Sequence, residues 1–231
     1  MAWTLETITE GSITSVPGFK AAGVPCGLKK SGAPDLALVV SLSPCVAAAV
    51  FTTNLFKAAP VLYDQELVAK NPVGLRGVAI NAGVANACTG TQGEQSAAQM
   101  AALAEQATGC EADSMMVMST GVIGQQLPMD KIAAGVQAAA AALGADVAAG
   151  HEAARAIMTT DTRPKEHALH VRLDNGTGFT LAGMAKGSGM IHPNMATLLC
   201  TLTCDAPVAP VLAQAALREA VDASLNMVTI D

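Results

Sequence analysis

The order of strand-like and helix-like segments is the feature that most constrains how this chain folds. Short β-branched or apolar runs alternate with alanine-rich stretches whose apolar positions recur at helical spacing. We find no internal repeat, linker or low-complexity tract that divides the chain. This interleaving predicts a layered α/β (α+β) architecture, in which helices and sheets pack face to face.

Four helices are predicted, over about 94–107, 129–143, 147–158 and 208–223. Gly109 stands where a left-handed residue would cap the first of them, and Pro128 opens the second. Strands are predicted at 35–41, 47–53, 59–64, 76–81, 115–119 and 198–204. The first two strands are expected to be neighbours, and two more should flank the hairpin turn at 174–178.

A last strand pattern starts at Asn226 and breaks off, which suggests that the sheet is incomplete in this chain. Of 231 residues, 51% are apolar, so a sizeable core can be buried. Only 3% are aromatic, which predicts layers packed from small side chains. The net charge of −6 argues against a phosphate-binding surface, and we expect no nucleic-acid partner.

The N-terminal ten residues lack the basic pattern of a targeting peptide, and no apolar run reaches the ~18 residues needed to span a bilayer. We therefore expect a cytoplasmic protein without a membrane partner. The six cysteines are scattered without CxxC spacing, which favours buried reduced thiols over disulfides or zinc. No metal and no cofactor are expected.

A glycine-rich segment, Lys186–Thr197, leads into the strand pattern that follows it. A threonine hydroxyl is a weak nucleophile, and the α-amino group of the same residue can act as its base once that residue is an N-terminus. Attack of the Thr197 hydroxyl on the Ala196 carbonyl, followed by hydrolysis of the ester, would cleave the bond between them and expose that amine. The alternative is a threonine that only begins a strand.

Ser119-Thr120-Gly121 ends another strand in a glycine turn, where backbone N–H groups and a hydroxyl can converge on an oxyanion. The alternatives are an ordinary strand-to-helix turn, or a phosphate loop without its lysine. Lys186 is the only cation near the nucleophile in sequence, so it could hold a substrate carboxylate; the alternative is a solvated surface lysine. His192 could be mistaken for a general base, but a lone histidine beside a proline is more often structural.

Taken together, these segments resemble the glutamate N-acetyltransferase family of arginine biosynthesis, also called the ornithine acetyltransferase family. The matching motifs are Gly18-Phe19, Gly27, Lys29-Lys30, Phe51–Asn54, Lys57–Val61, Asn86–Gly90, Ser119–Gly124, Thr159–Asp161, Met184–Gly187 and Pro193–Thr197. Each motif is weak alone, whereas their order and spacing are highly specific.

The resemblance implies a precursor that cleaves itself between Ala196 and Thr197, with residues 1–196 as its α chain and 197–231 as the beginning of its β chain. It also implies that Thr197 is the nucleophile that carries the acetyl group, and that Thr120 and Gly121 form the oxyanion hole. Thr159 and Lys186, together with Thr197, would contact the substrate.

Members of this family pass an acetyl group from N-acetylornithine to glutamate, and some also accept acetyl-CoA. The resemblance therefore implies an acyltransferase with a layered α/β sandwich fold and an α2β2 assembly of the cleavage products. The sequence differs from the usual family pattern at Asn81–Asn86, where Ala82 and Val84 replace polar residues. Family members also continue past the position of Asp231 and carry further substrate-binding residues there.

Two other functions stay open from the sequence. An N-terminal-nucleophile aminopeptidase or hydrolase of related architecture would use the same activated hydroxyl but let water accept the acyl group. A truncated, inactive copy would fold or associate without catalysis.

Overall fold

The computed structural model describes residues 3–192, 194 and 197–230, and the elements below belong to that part of the chain. The strands are β1 (Trp3–Thr7), β2 (Phe19–Val24), β3 (Leu36–Cys45), β4 (Leu75–Val84), β5 (Met115–Val122), β6 (Lys165–Leu173), β7 (Gly178–Lys186) and β8 (Leu199–Cys204). The α-helices are α1 (Ala59–Lys70), α2 (Gly90–Thr108), α3 (Met129–Ala141), α4 (Val147–Ala156) and α5 (Pro210–Asp222). Short 3-10 turns lie at Ile13–Ser15 and Leu225–Met227.

The strands form two four-stranded sheets. The first sheet has the order β2-β3-β4-β5, in which only the β4–β5 pair is parallel. A parallel pair needs a crossover connection, and α2 lies within it. The second sheet has the order β1-β6-β7-β8 and is antiparallel throughout.

The first sheet is covered on both faces. One face packs against α2 and α3, with Leu38 and Val117 of the sheet in one cluster with Met100 and Ile132 of the helices. The other face packs against α4 and against the second sheet, and its buried cluster includes Ile80, Ala153 and Met184. Burial on both faces explains why these strands read as continuous apolar runs.

Helix α4 approaches the first sheet closely at Gly23 of β2. A Cβ atom at this position would lie 2.0 Å from the carbonyl oxygen of Glu152. Because Gly23 has no side chain, the backbone of α4 can pack directly against β2. This contact fixes the position of the C-terminal end of α4.

The layered α/β fold predicted from the sequence is confirmed, and so are the helices α2 to α5. Gly109 has φ +67° and caps α2 as predicted. Asp146 starts α4, since its side chain accepts a hydrogen bond of 2.8 Å from the backbone N–H of Ala149. The β6–β7 hairpin across residues 174–178 is also confirmed.

The strand predicted at 59–64 is wrong, because this segment begins α1. Pro60 lies in the first turn of the helix, where its missing N–H group leaves no helical hydrogen bond unmade. The buried residues Ala59, Asp64 and Leu67 follow helical rather than alternating spacing.

The strand predicted at 47–53 is also wrong, and β3 pairs with β2 and β4 instead. The backbone of Ala49 bonds the side-chain amide of Gln214 on α5 in both directions, at 3.1 and 3.0 Å. The last predicted strand, which starts at Asn226, overlaps the 3-10 turn at Leu225–Met227, although Ile230 forms an isolated antiparallel bridge with Ile191.

All six cysteines are free thiols, and Cys88 is exposed, contrary to the expectation that they are buried. None of the helices in the described part combines the length and the apolar character that a membrane span requires.

Candidate active site

Lys186 is buried at the end of β7. Along this strand Thr180, Ala182, Met184 and Lys186 alternate with less buried residues, so Lys186 lies on the face that packs toward the first sheet. Only 3% of the residue is exposed. The interpretation of Lys186 as a solvated surface lysine is therefore wrong.

The ammonium group of Lys186 makes no hydrogen bond or ion pair with any residue that the structure describes. Burial lowers its pKa, the nearby Asp161 carboxylate acts to raise it, and Lys165 lowers it further; the net result is a lowered pKa. A buried cation without a bonded anion is costly in a folded protein. This arrangement is suited to binding the carboxylate of a ligand.

Asp161 connects two of the residues predicted to bind substrate. Its carboxylate accepts hydrogen bonds from the backbone N–H of Gly187 at 2.9 Å and of Thr159 at 3.2 Å, and it pairs with the Lys165 ammonium. Burial alone would raise the pKa of Asp161, but these donors outweigh it and the pKa is lowered. The backbone N–H groups of Thr159 and of Gly187, at the end of β7, therefore bind the same carboxylate.

Thr197 lies next to this cluster. Its carbonyl oxygen is 3.3 Å from the point that a Cβ atom on Gly187 would occupy, and Gly187 has φ +144°. Thr197 is exposed and has φ +65°, a conformation that strains a β-branched residue. Ala196, and with it the predicted cleavage bond, lies outside the described residues.

The predicted oxyanion residues lie at the end of β5. The strand continues through Thr120 and Gly121 to Val122, so the glycine turn expected after Ser119 begins later than predicted. A Cβ atom on Gly121, which has φ +134°, would lie 2.2 Å from the carbonyl carbon of Gly83. Only glycine fits this approach of β4 and β5.

A series of contacts connects Gly121 with the cluster formed by Asp161, Thr159, Lys165 and Gly187 at one end of the molecule. Gly83 faces Leu28, whose Cβ is 3.0 Å from the position of a Cβ on that glycine. The next residue, Lys29, donates a hydrogen bond of 3.2 Å to the carbonyl of Ala156 at the end of α4. The structure therefore places Gly121, Lys29 and Asp161 at the same end of the fold. Thr120 and Met118 lie on the same side of β5. Met118 packs in the cluster that also contains Leu199, two residues after Thr197.

The loop that carries Lys29 is held by Asp35, which is fully buried. The Asp35 carboxylate accepts backbone hydrogen bonds from Cys26 at 2.6 Å and from Leu28 and Lys29 at 2.7 Å. No role for Asp35 or Asp161 was predicted from the sequence. Their signal was weak, because an aspartate at the start of a strand or in a loop is usually solvated, and only the tertiary fold shows that these two are buried acceptors.

His192 is exposed in the structure. Within the described ranges, no group of three or more His, Cys, Asp or Glu side chains is arranged to hold a metal ion.

Comparison with known proteins shows the family of this chain. A family model described as the ArgJ family matches residues 20–231. The chain belongs to the ArgJ family. The match confirms the family resemblance found in the sequence, since curated ArgJ proteins carry arginine biosynthesis in their names.

Among ArgJ relatives, the arginine biosynthesis bifunctional protein ArgJ of Symbiobacterium thermophilum is 51% identical over 224 residues, which cover 96% of this chain and 54% of the relative. The same protein of Thermotoga neapolitana is 48% identical over 214 residues, covering 93% of this chain and 53% of the relative. The chain thus spans about half the length of the curated relatives it matches.

Two solved structures share the fold. The crystal structure of arginine biosynthesis bifunctional protein ArgJ from Bacillus halodurans matches with a TM-score of 0.79 and 38% identity. Ornithine acetyltransferase complexed with ornithine, from Mycobacterium tuberculosis, matches with a TM-score of 0.75 and 41% identity. Each comparison covers 85% of this chain and 100% of the solved chain.

Proposed function

We propose that this chain carries the acyl-transfer site of an acetyltransferase of arginine biosynthesis. The enzyme passes an acetyl group from N-acetylornithine to glutamate through an ester on Thr197. The observation that carries this proposal is the juxtaposition of an exposed, strained Thr197 with the buried Lys186, whose ammonium has no bonded anion in the described structure. The ornithine-bound relative supports the choice of substrate.

The first step in this proposal is self-cleavage. The Thr197 Oγ attacks the Ala196 carbonyl, the C–N bond between the two residues breaks, and its nitrogen takes the hydroxyl proton. Water then hydrolyses the ester, leaving an α chain of residues 1–196 and a β chain that begins at Thr197. The positive φ of Thr197 stores strain on the order of 1–3 kcal/mol, which favours this reaction.

One further observation supports a division at this point. The β7–β8 ladder pairs Lys186 with Leu199 and Leu181 with Cys204 across the division. After cleavage the two products therefore stay joined in one sheet, the basic unit of an α2β2 assembly.

In the transfer step, the free α-amino group of Thr197 takes the hydroxyl proton and Oγ attacks the acetyl carbonyl. Charge that develops on the carbonyl oxygen is met by Thr120 and Gly121, and the ornithine amine leaves with a proton. The amine of glutamate then attacks the ester and restores Thr197. Lys186 binds the substrate α-carboxylate, and Thr159 contacts the same substrate.

The acetyl group moves between bound substrates in this scheme, so no cofactor takes part. Acetyl-CoA as a second acetyl donor and a cytoplasmic location stay predictions from the sequence.

Incubating the complete natural protein with N-acetylornithine, with and without glutamate, tests the proposal. We expect N-acetylglutamate only when glutamate is present, and its loss in the Thr197→Ala variant. Thr197→Ser is the matched variant and should keep part of the activity, because it retains a hydroxyl. Release of free acetate with no N-acetylglutamate would instead identify a hydrolase, and no turnover together with no cleavage would identify an inactive copy.

A further inference from the structure

We propose that Asp161 is a positioning residue of the transfer reaction: it holds Thr159 and Lys186 in the geometry that binds the substrate carboxylate. This inference rests on the function proposed above. Asp161 itself does not need to touch the substrate, because it acts through the residues that do.

Asp161 lies in the bend after α4, and its carboxylate bonds groups from two other places in the fold. One is the N–H of Gly187 at the end of β7, at 2.9 Å, and the other is the ammonium of Lys165 at the start of β6. The same carboxylate also fixes its own bend through the N–H of Thr159, at 3.2 Å.

Both oxygens of the Asp161 carboxylate accept hydrogen bonds. One oxygen of Asp161 serves both Gly187 and Lys165, and the other serves Thr159. An asparagine has a single acceptor oxygen and no charge. Asp161→Asn therefore breaks either the connection to Gly187 or the connection to Thr159, and it removes the ion pair with Lys165.

Three ammonium groups interact with the Asp161 charge: those of Lys29, Lys165 and Lys186. Lys29 also interacts with the carboxylate of Asp35, so these three ammonium groups face two carboxylates. The site keeps a net positive charge, which complements a substrate carboxylate. Asp161 also limits the repulsion that Lys165 exerts on Lys186, and so it favours the protonated form of Lys186.

The test compares Asp161→Asn with the wild type in the complete natural protein, using N-acetylornithine and glutamate as substrates. We expect the KM for N-acetylornithine to rise about tenfold or more, the size of losing a hydrogen bond to a charged acceptor, with a smaller change in kcat. The alkaline limb of the kcat/KM profile should move to lower pH, because Lys186 loses the negative charge that favours its protonation.

Lys165→Met provides an independent readout that leaves the buried carboxylate in place. Because Lys165 lowers the pKa of Lys186, its removal should move the alkaline limb to higher pH, opposite to Asp161→Asn. Asp130→Asn makes the same chemical change on the exposed first turn of α3 and should leave both KM and the pH profile unchanged.

An Asp161→Asn variant with a lower melting temperature but an unchanged KM and alkaline limb would show a merely structural aspartate and overturn the inference. If that variant does not fold, an alkaline limb that stays in place in Lys165→Met has the same consequence. A wild type that transfers no acetyl group overturns the proposed function, and with it this inference, and is recognised before any variant is measured.

Discussion

Two buried aspartates show how differently the same side chain behaves in the scaffold and at the candidate site. Asp64 lies on α1 with 3% of the residue exposed, and it accepts a hydrogen bond of 2.9 Å from the N–H of Val117 on β5. Burial raises the pKa of Asp64 to about 8. Asp161 is also buried, yet its pKa is lowered, because Lys165 and two backbone N–H groups stabilise the charge.

Burial alone therefore does not mark a functional carboxylate. Asp64 stabilises β5, the strand that contains Gly121, and it can do so as a neutral acid. Asp161 must be charged to hold its neighbours, and its cationic surroundings are those that would recognise an anionic substrate. The sign of the electrostatic environment therefore distinguishes the site from the scaffold.

The largest expected effect comes from removing the ammonium group of Lys186, which interacts with the Asp161 charge. Lys186→Met should lower kcat/KM for N-acetylornithine by roughly 100-fold or more, because the substrate carboxylate loses its buried partner. The melting temperature should hold or rise, since the variant replaces a buried ammonium that has no bonded anion in the described structure with an apolar side chain.

Lys70→Met is the matched control for this change, because Lys70 forms an exposed ion pair with Asp113 and should leave activity unchanged. Steady-state kinetics and thermal unfolding measure both effects. A Lys186→Met variant with wild-type kcat/KM would remove Lys186 from the site.

The strand braced by Asp64 is tested by Gly121→Ala. A Cβ atom there meets the carbonyl carbon of Gly83 at 2.2 Å in addition to the positive φ, so we expect a loss of about 3 kcal/mol in the free energy of unfolding. Gly124→Ala shares the positive φ but faces open space, and should cost about 1 kcal/mol. Equal denaturant midpoints for the two variants would contradict the close approach of β4 and β5.

The two aspartates themselves should respond oppositely to one substitution. The raised pKa of Asp64 means that the folded state binds a proton that the unfolded state has lost, so stability falls as pH rises from about 4 to about 8. Asp64→Asn removes this dependence and should raise the melting temperature by roughly 5 °C at pH 8, with little change near pH 4.

Asp161 has a lowered pKa, so its charge contributes stability above the unfolded pKa, and that contribution is lost as pH falls through the folded pKa. Asp161→Asn should therefore lower the melting temperature at neutral pH. A change in melting temperature of the same sign in Asp64→Asn and Asp161→Asn across this pH range would contradict the opposite roles of the two charges.

The smallest effect is expected at Asp146, the N-cap of α4, which is the helix that precedes Asp161 in the chain. Asp146→Ala removes the bond to the N–H of Ala149 and should cost about 1 kcal/mol of stability. The KM for N-acetylornithine should not change, because the carboxylate of Asp161 keeps its own partners. A rise in KM in Asp146→Ala would mean that the site depends on this cap.

Much of the fold follows from local sequence patterns. Helix α2 could be predicted from its spacing and from Gly109, and the β6–β7 hairpin from its turn residues. Helix α1 could not, because Ala59-Pro-Val-Leu reads as a short apolar strand until tertiary packing shows which residues are buried. The extended segment 47–53 has strand-like residues but bonds a side chain of α5 instead of a strand.

Some residues of the candidate site could also be predicted from local sequence, whereas others could not. Thr197 and Lys186 could be singled out because a glycine-rich segment joins them within a few residues. The role of Asp161 could not be predicted, since it depends on the end of α4 meeting the end of β7, and Asp161 and Gly187 are separated by 26 positions. Pairings of this kind are set by the fold rather than by local pattern.

The most direct test of the account is the mass of the wild-type polypeptides before and after exposure to N-acetylornithine without glutamate. We predict two fragments divided between Ala196 and Thr197, and the fragment that begins at Thr197 should become heavier by one acetyl group. An intact chain, a break at another bond, or an acetyl group found on a residue other than Thr197 would contradict the account.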